Sequence, residues 1–169
     1  MTSLLVLGGA RSGKSGYAQR RCEVLPGRLG YIATAQAFDA EMEERIARHQ
    51  NERGGRWSTI EAPTDLTGAI RDAAAVADVL MVDCLTLWLS NLLLAEADVA
   101  AARTALVDAV LGCPVPLIIV ANEVGYGIVP DNALARRFRD EAGWLNQAVA
   151  AACREVVLVA AGLPLSLKG

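Results

Sequence analysis

Gly8-Gly9-Ala10-Arg11-Ser12-Gly13-Lys14-Ser15 decides how the rest of this chain is read. The octapeptide follows an apolar run, Leu4-Leu5-Val6-Leu7, and opens a helix-compatible stretch over residues 16–25. Strand, glycine-rich loop and helix, in that order, form the context of a phosphate-binding P-loop. Glycine at 8 and 13 permits backbone angles and close approaches that a Cβ would forbid. The loop can then aim successive N–H groups at phosphate oxygens, and the start of the helix adds partial positive charge. Lys14 has the reach for the β- and γ-phosphates, and the Ser15 hydroxyl suits Mg²⁺. The sequence therefore predicts a site for a nucleoside triphosphate.

The same grammar continues downstream. Apolar, strand-length runs lie at 3–7, 29–33, 79–83, 115–121 and 156–160, with a shorter one at 57–60. They are apolar throughout rather than alternating, as in a parallel sheet covered on both faces. Helix-compatible stretches at 15–24, 39–53, 65–77, 85–95, 99–111 and 132–152 fall between them. This alternation predicts an α/β fold, a mostly parallel sheet with helices on both faces and right-handed crossovers. No break has the composition of a linker, so residues 1–169 are expected to form a single domain. In such sheets ligands sit at the carboxyl ends of the strands. That edge would carry the P-loop, Thr34-Ala35-Gln36, Asp83-Cys84 and Asn122-Glu123.

Composition narrows the function classes. Hydrophobic residues make up 53% of the chain and charged residues 21%, which suits an ordinary globular core. A net charge of −3 argues against nucleic acid as the main partner. No apolar run has the length of a membrane span, and residues 4–7 lead into the P-loop rather than a signal pattern, so a cytoplasmic protein is expected. The four cysteines, Cys22, Cys84, Cys113 and Cys153, contain no C-x-x-C pair and are expected to be free thiols.

Three segments carry candidate chemistry. The strand 79–83 ends in Asp83, a carboxylate suited to Mg²⁺ opposite a P-loop. In the segment 39–53, Arg45, His49 and Arg53 are spaced by four and share a helix face. His49 is the only histidine in the chain. An imidazole between guanidinium groups is a candidate phosphate-directed nucleophile, because the cations keep its lone pair free and neutralise incoming oxygens. The same pattern also describes a solvated charged helix with an incidental histidine, and spacing alone leaves both open. Asn122-Glu123-Val124-Gly125-Tyr126-Gly127 places two polar side chains and a glycine-rich turn after a buried strand, which is either a ligand-lined site or a capped strand.

Several motifs together resemble one family. They are GGARSGKS at 8–15, YIATA at 31–35, ERIARHQNER at 44–53, Trp57 and Glu61, VDCLTLWLSNLL at 82–93, NEVGYGIVP at 122–130, LARRFRDEAGWLNQ at 134–147 and AGLPLSLK at 161–168. The chain is similar nearly end to end to the bifunctional adenosylcobinamide kinase / adenosylcobinamide-phosphate guanylyltransferases of cobalamin biosynthesis. The resemblance implies a RecA-like P-loop fold and a homotrimer. It implies phosphorylation of the aminopropanol hydroxyl of adenosylcobinamide by ATP or GTP. Transfer of GMP from GTP to that phosphate then follows, through a GMP–histidine intermediate at His49. The nucleotide contacts it implies are Gly8 to Ser15, then Ala33, Thr34, Ala35, Gln50, Asn51, Glu52, Arg53, Glu61 and Asp83. Lys14 would be catalytic, and Ser15 and Asp83 would hold Mg²⁺. The rival expectations are a P-loop small-molecule kinase without nucleotidyl transfer, and a nucleotide-dependent switch without transfer chemistry.

Overall fold

In a computed structural model, which describes residues 2–35 and 54–169, the apolar runs become strands of one sheet. They are β1 (Ser3–Gly8), β2 (Leu29–Ala33), β3 (Trp57–Glu61), β4 (Val79–Asp83), β5 (Leu117–Asn122), β6 (Glu155–Ala160) and β7 (Leu163–Lys168). The order across the sheet is β3-β2-β4-β5-β1-β6-β7, and every pairing is parallel except β6 with β7. β1 sits inside this order and all six of its residues are buried, which is why its sequence shows no polar alternation.

Five described helices cover the faces: α1 (Lys14–Glu23), α2 (Leu66–Ala74), α3 (Leu85–Leu94), α4 (Val99–Gly112) and α5 (Ala133–Ala152). Three of them, α2, α4 and α5, start at side-chain caps. Asp65 accepts from Gly68 N, Asp98 from Ala101 N, and Asn132 from Leu134 N and Ala135 N. At the other end of α5, Lys168 Nζ donates to the carbonyls of Ala150 and Ala151 at 3.0 Å each, where a cation is favoured by the helix dipole.

Alternate residues of each central strand feed two cores. Leu5, Leu80, Val82, Leu117 and Ile119 pack with α2, α3, α4 and α5 on one face. Leu4, Val6, Met81, Ile118 and Val120 pack on the other with Ala18 and Cys22 of α1. The helix α3 is apolar on more than one side because it is enclosed: Leu85, Trp88, Leu89, Leu92 and Leu93 are all buried. Trp88 keeps its indole N–H satisfied by donating to the Thr64 carbonyl at 2.7 Å.

The expected strands and helices that fall on described residues are present, with ends displaced by a few residues. The strand expected at 115–121 runs Leu117–Asn122, starting after Pro116. The helix expected at 65–77 is Leu66–Ala74, with Asp65 as its cap. The helix expected at 39–53 lies outside the described residues. The strand β7 was not expected at all: Pro164 and the polar Ser166 break its apolar run. Pro164 is tolerated because β7 has a neighbour on one side only. No helix of the described residues is long and apolar enough to cross a membrane.

All four cysteines are free and buried. Burial pushes the Cys22 thiol up to about 12 and the Cys153 thiol up to about 11, and raises those of Cys84 and Cys113 as well. At pH 8 the native protein should therefore react slowly with a disulfide thiol reagent, and all four thiols should react at once in denaturant; fast labelling of the native state would contradict this packing. Truncating the fully buried Leu89 to alanine should cost about 2–5 kcal/mol in urea unfolding, with the slope against denaturant unchanged.

Candidate nucleotide site

The strand β1 reaches the carboxyl edge of the sheet at Gly8, in register with Asn122 of β5 and Val159 of β6. There is no room for a side chain here. A Cβ on Gly8 would stand 2.5 Å from Ser12 Oγ and 2.6 Å from the Val159 carbonyl. The loop therefore folds tightly over the end of its own strand. Ser12 N donates to the Gly9 carbonyl at 3.3 Å, and Arg11 adopts φ 56°. Gly13, at φ 92°, turns the chain into α1, a conformation that favours glycine. No side chain caps the start of α1, so amides of its first turn are left for an anion. Lys14 arches back along the loop, with Nζ donating to the Gly9 carbonyl at 3.0 Å.

The loop is also supported from behind. Gly162, in the turn between β6 and β7, donates its N–H to the Ser12 carbonyl at 2.8 Å. Its Cα lies 3.3 Å from where a Cβ on Gly13 would be. Among the described residues, two buried side-chain atoms lack a hydrogen-bond partner, Ser12 Oγ and Asn122 Oδ1. Both belong to this edge of the sheet.

The other strand ends align beside the loop. Glu61, Ala33 and Asp83 occupy the same register level across β3, β2 and β4. β4 is separated from β1 by β5 alone, and Asp83 lies level with Val120 and so with Val6, two residues before Gly8. Asp83 is half-buried and accepts from the Tyr31 hydroxyl at Oδ2, 3.1 Å away, which fixes the orientation of the carboxylate. Glu61 is exposed.

Thr34 is fully buried and pins the edge together. Its hydroxyl donates to the Cys84 carbonyl at 2.7 Å and accepts from Cys84 N at 2.9 Å. Its carbonyl accepts from Asn91 Nδ2 at 2.8 Å. The backbone of Asn122 is held the same way: its N–H donates to Thr86 Oγ1 at 2.7 Å, and its carbonyl accepts from Asn146 Nδ2 at 3.2 Å. Thr86 and Asn91 were not singled out from the sequence, and Asn146 drew notice only within the LARRFRDEAGWLNQ stretch. Polar residues on otherwise apolar helix faces are the signal that could have found them, because a buried amide or hydroxyl must be hydrogen-bonded. Cys84 is buried between these groups as an uncharged thiol.

Of the expected site residues, the structure brings together Gly8 to Ser15, Ala33 to Ala35, Glu61 and Asp83 on one edge. His49, Gln50, Asn51, Glu52 and Arg53 lie outside the described residues. No cluster of three or more metal-ligating side chains occurs among the described residues, so a divalent cation here would rest on few protein oxygens and on the phosphates themselves.

Comparison with known proteins agrees with this arrangement. The KaiC-like protein PH0186 of Pyrococcus horikoshii aligns with a TM-score of 0.54 at 16% identity, covering 93% of this chain and 71% of that one. The EscN ATPase of the enteropathogenic Escherichia coli type III secretion system aligns at 0.62 and 13% identity, over 98% of this chain and 47% of that one. These likenesses concern the fold. In sequence, the bifunctional adenosylcobalamin biosynthesis protein CobP of Pseudomonas aeruginosa is 48% identical over 167 residues, 98% of this chain and 96% of that protein. The bifunctional adenosylcobalamin biosynthesis protein CobU of Salmonella typhimurium is 42% identical over 98% of this chain and 99% of its own length. A family model described as cobinamide kinase / cobinamide phosphate guanyltransferase matches residues 4–167. With the P-loop edge in place and the match running nearly end to end, the chain belongs to the cobinamide kinase / cobinamide phosphate guanyltransferase family.

Proposed function

We propose that one nucleotide site, on the carboxyl edge of the sheet, serves both reactions of the family within a single domain spanning residues 1–169. The observation that carries this reading is the alignment of the P-loop, Ala33, Glu61 and Asp83 along one edge. In the kinase step, the aminopropanol hydroxyl of adenosylcobinamide attacks the γ-phosphorus of ATP or GTP. The bond to the β–γ bridging oxygen breaks, the nucleoside diphosphate leaves, and the hydroxyl proton passes to solvent. Lys14 and the amides of residues 9–15 hold the phosphate oxygens as charge shifts toward the leaving group. The segment Ala33 to Ala35 and Glu61 border the nucleotide, with Thr34 holding that border rigid.

Ser15 and Asp83 are the residues that would hold Mg²⁺. A hydroxyl and an oriented carboxylate are hard oxygen donors, and they fit a cation that keeps most of its ligands as water and phosphate. When bound, it neutralises charge on the phosphate oxygens.

In the second step, His49 supplies the nucleophile. An imidazole nitrogen attacks the α-phosphorus of GTP, and the bond to pyrophosphate breaks. The phosphate of adenosylcobinamide phosphate then attacks the GMP–His49 phosphoramidate, breaking the P–N bond and giving adenosylcobinamide-GDP. Two transfers of lower barrier replace one of higher barrier. Support for His49 comes from its motif, from its being the sole histidine, and from the arginines at 45, 48 and 53. Gln50, Asn51, Glu52 and Arg53 would contact the same nucleotide. The resemblance also supports a cytoplasmic homotrimer, and the exposed leucines of β7, Leu163, Leu165 and Leu167, are available apolar area for contacts between copies.

GTP labelled at the α-phosphate, incubated with Mg²⁺ and no acceptor, should leave acid-labile, alkali-stable label on the wild-type protein and none on His49→Ala. A protein that binds GTP yet takes no label would be a plain kinase. Gly8→Ala should raise the Kd for GTP at least about tenfold, because the loop must shift to admit the Cβ; unchanged affinity in calorimetry would contradict the loop geometry.

A further inference from the structure

The segment between β5 and α5 does not behave like an ordinary surface loop. It is clamped at both ends by polar groups. Glu123 Oε1 accepts from Gly125 N at 2.6 Å. Arg136 donates to the Pro130 carbonyl at 2.9 Å and to the Asp131 carbonyl at 2.6 Å. Asn132 caps the helix that follows. Between the clamps the chain holds large apolar side chains outward: Tyr126 is 84% exposed, Ile128 96% and Val129 59%. Leu134, at the start of α5, is 52% exposed. It lines an almost wholly apolar groove of about 340 Å³ together with Leu93, Leu94 and Phe138. Scattered apolar residues on a surface need no explanation, but four within nine residues of chain, held away from the core, do.

Position identifies what covers them. The loop leaves the sheet at Asn122, the β5 residue in register with Gly8 of the P-loop, and it ends at the apolar groove. It thus begins beside the P-loop and leads away from it over apolar surface. The acceptor in the family reaction has matching anatomy. Its reactive hydroxyl is at the tip of a short arm and must reach the P-loop, while its bulk is a methyl-studded macrocycle that must rest close by.

We propose that residues 126–129 with Leu134 form the docking surface for the corrin ring of the cobinamide acceptor. Tyr126 and Ile128 are the residues that determine acceptor affinity. This rests on cobinamide being the acceptor. The ring lies over the loop, its methyl edge toward the apolar groove, and its aminopropanol arm points back along the loop toward Gly8.

The test compares wild type with Ile128→Ser and Tyr126→Ser in the kinase reaction, varying cobinamide and nucleotide separately. The exposure of these side chains leaves the fold tolerant of the changes, which circular dichroism checks. Each variant should raise the KM for cobinamide about tenfold with little change in the KM for nucleotide. Ile128→Leu, which returns the apolar area, should bring the acceptor KM back. Unchanged cobinamide KM in both serine variants would overturn the proposal. So would a smaller assembly in sedimentation accompanying the loss of activity, which would make the loop a contact between copies. If wild type itself failed to phosphorylate cobinamide while binding nucleotide, it is the acceptor reading that would fall.

Discussion

The absence of a side chain at Gly8 is the constraint on which the site depends. The strand β1 is buried along its whole length and is flanked on both sides by parallel neighbours. It delivers the chain to the carboxyl edge at one fixed place. There Ser12 Oγ and the Val159 carbonyl occupy the volume that any Cβ would need. The loop can close on itself only because the strand ends in glycine, and it can enter α1 only because Gly13 accepts a positive φ. Everything else at the edge is placed relative to that closure.

The closure is rigid, and the polar residues behind it explain why. The Thr34 hydroxyl joins the end of β2 to the start of α3, and Asn91 Nδ2 of α3 donates to the Thr34 carbonyl. Thr86 and Asn146 hold the backbone at the end of β5 from two different helices. These bonds lie in a low-dielectric setting, where leaving any one of them unmade would cost more than making it gains. The sheet edge is thus fastened to the helical layer beneath it, while Ser12 Oγ and Asn122 Oδ1 are left unsatisfied at its rim. A preorganised border is what phosphoryl transfer needs, since positioning and charge stabilisation do most of the catalytic work.

Much of this was legible in the sequence, and for physical reasons. Parallel strands buried on both faces must be continuous apolar runs, so β1, β2, β4, β5 and β6 announce themselves. The P-loop is legible because its glycines and lysine answer to local geometry and to a charged ligand. Asp83 follows from the rule that parallel sheets bind ligands at their carboxyl ends. The edge strand β7 was not legible, because Pro164 disrupts its pattern and its pairing with β6 is set by the turn at Ala161 and Gly162, whose φ values are 51° and 80°. The pinning role of Thr34, Thr86, Asn91 and Asn146 was hidden for another reason. Their partners are backbone atoms remote in sequence, and nothing in a linear pattern marks such a pairing. His49 drew notice by its arginine neighbours and its solitude, but its role came from resemblance.

The contact between Gly162 and the P-loop has a consequence for how the protein comes into being. The nucleotide-binding octapeptide lies near the amino end of the chain, yet its strand is completed by β5 and β6, and its carbonyl at Ser12 is held by residue 162. A nascent chain that has emerged only through its first hundred residues carries the motif as a string of letters, without the cradle. Such long-range closures are paid for in loop entropy before they are rewarded. Competence to grip a triphosphate therefore arrives near the end of folding, so that nucleotide is captured by finished molecules and not by fragments still on the ribosome.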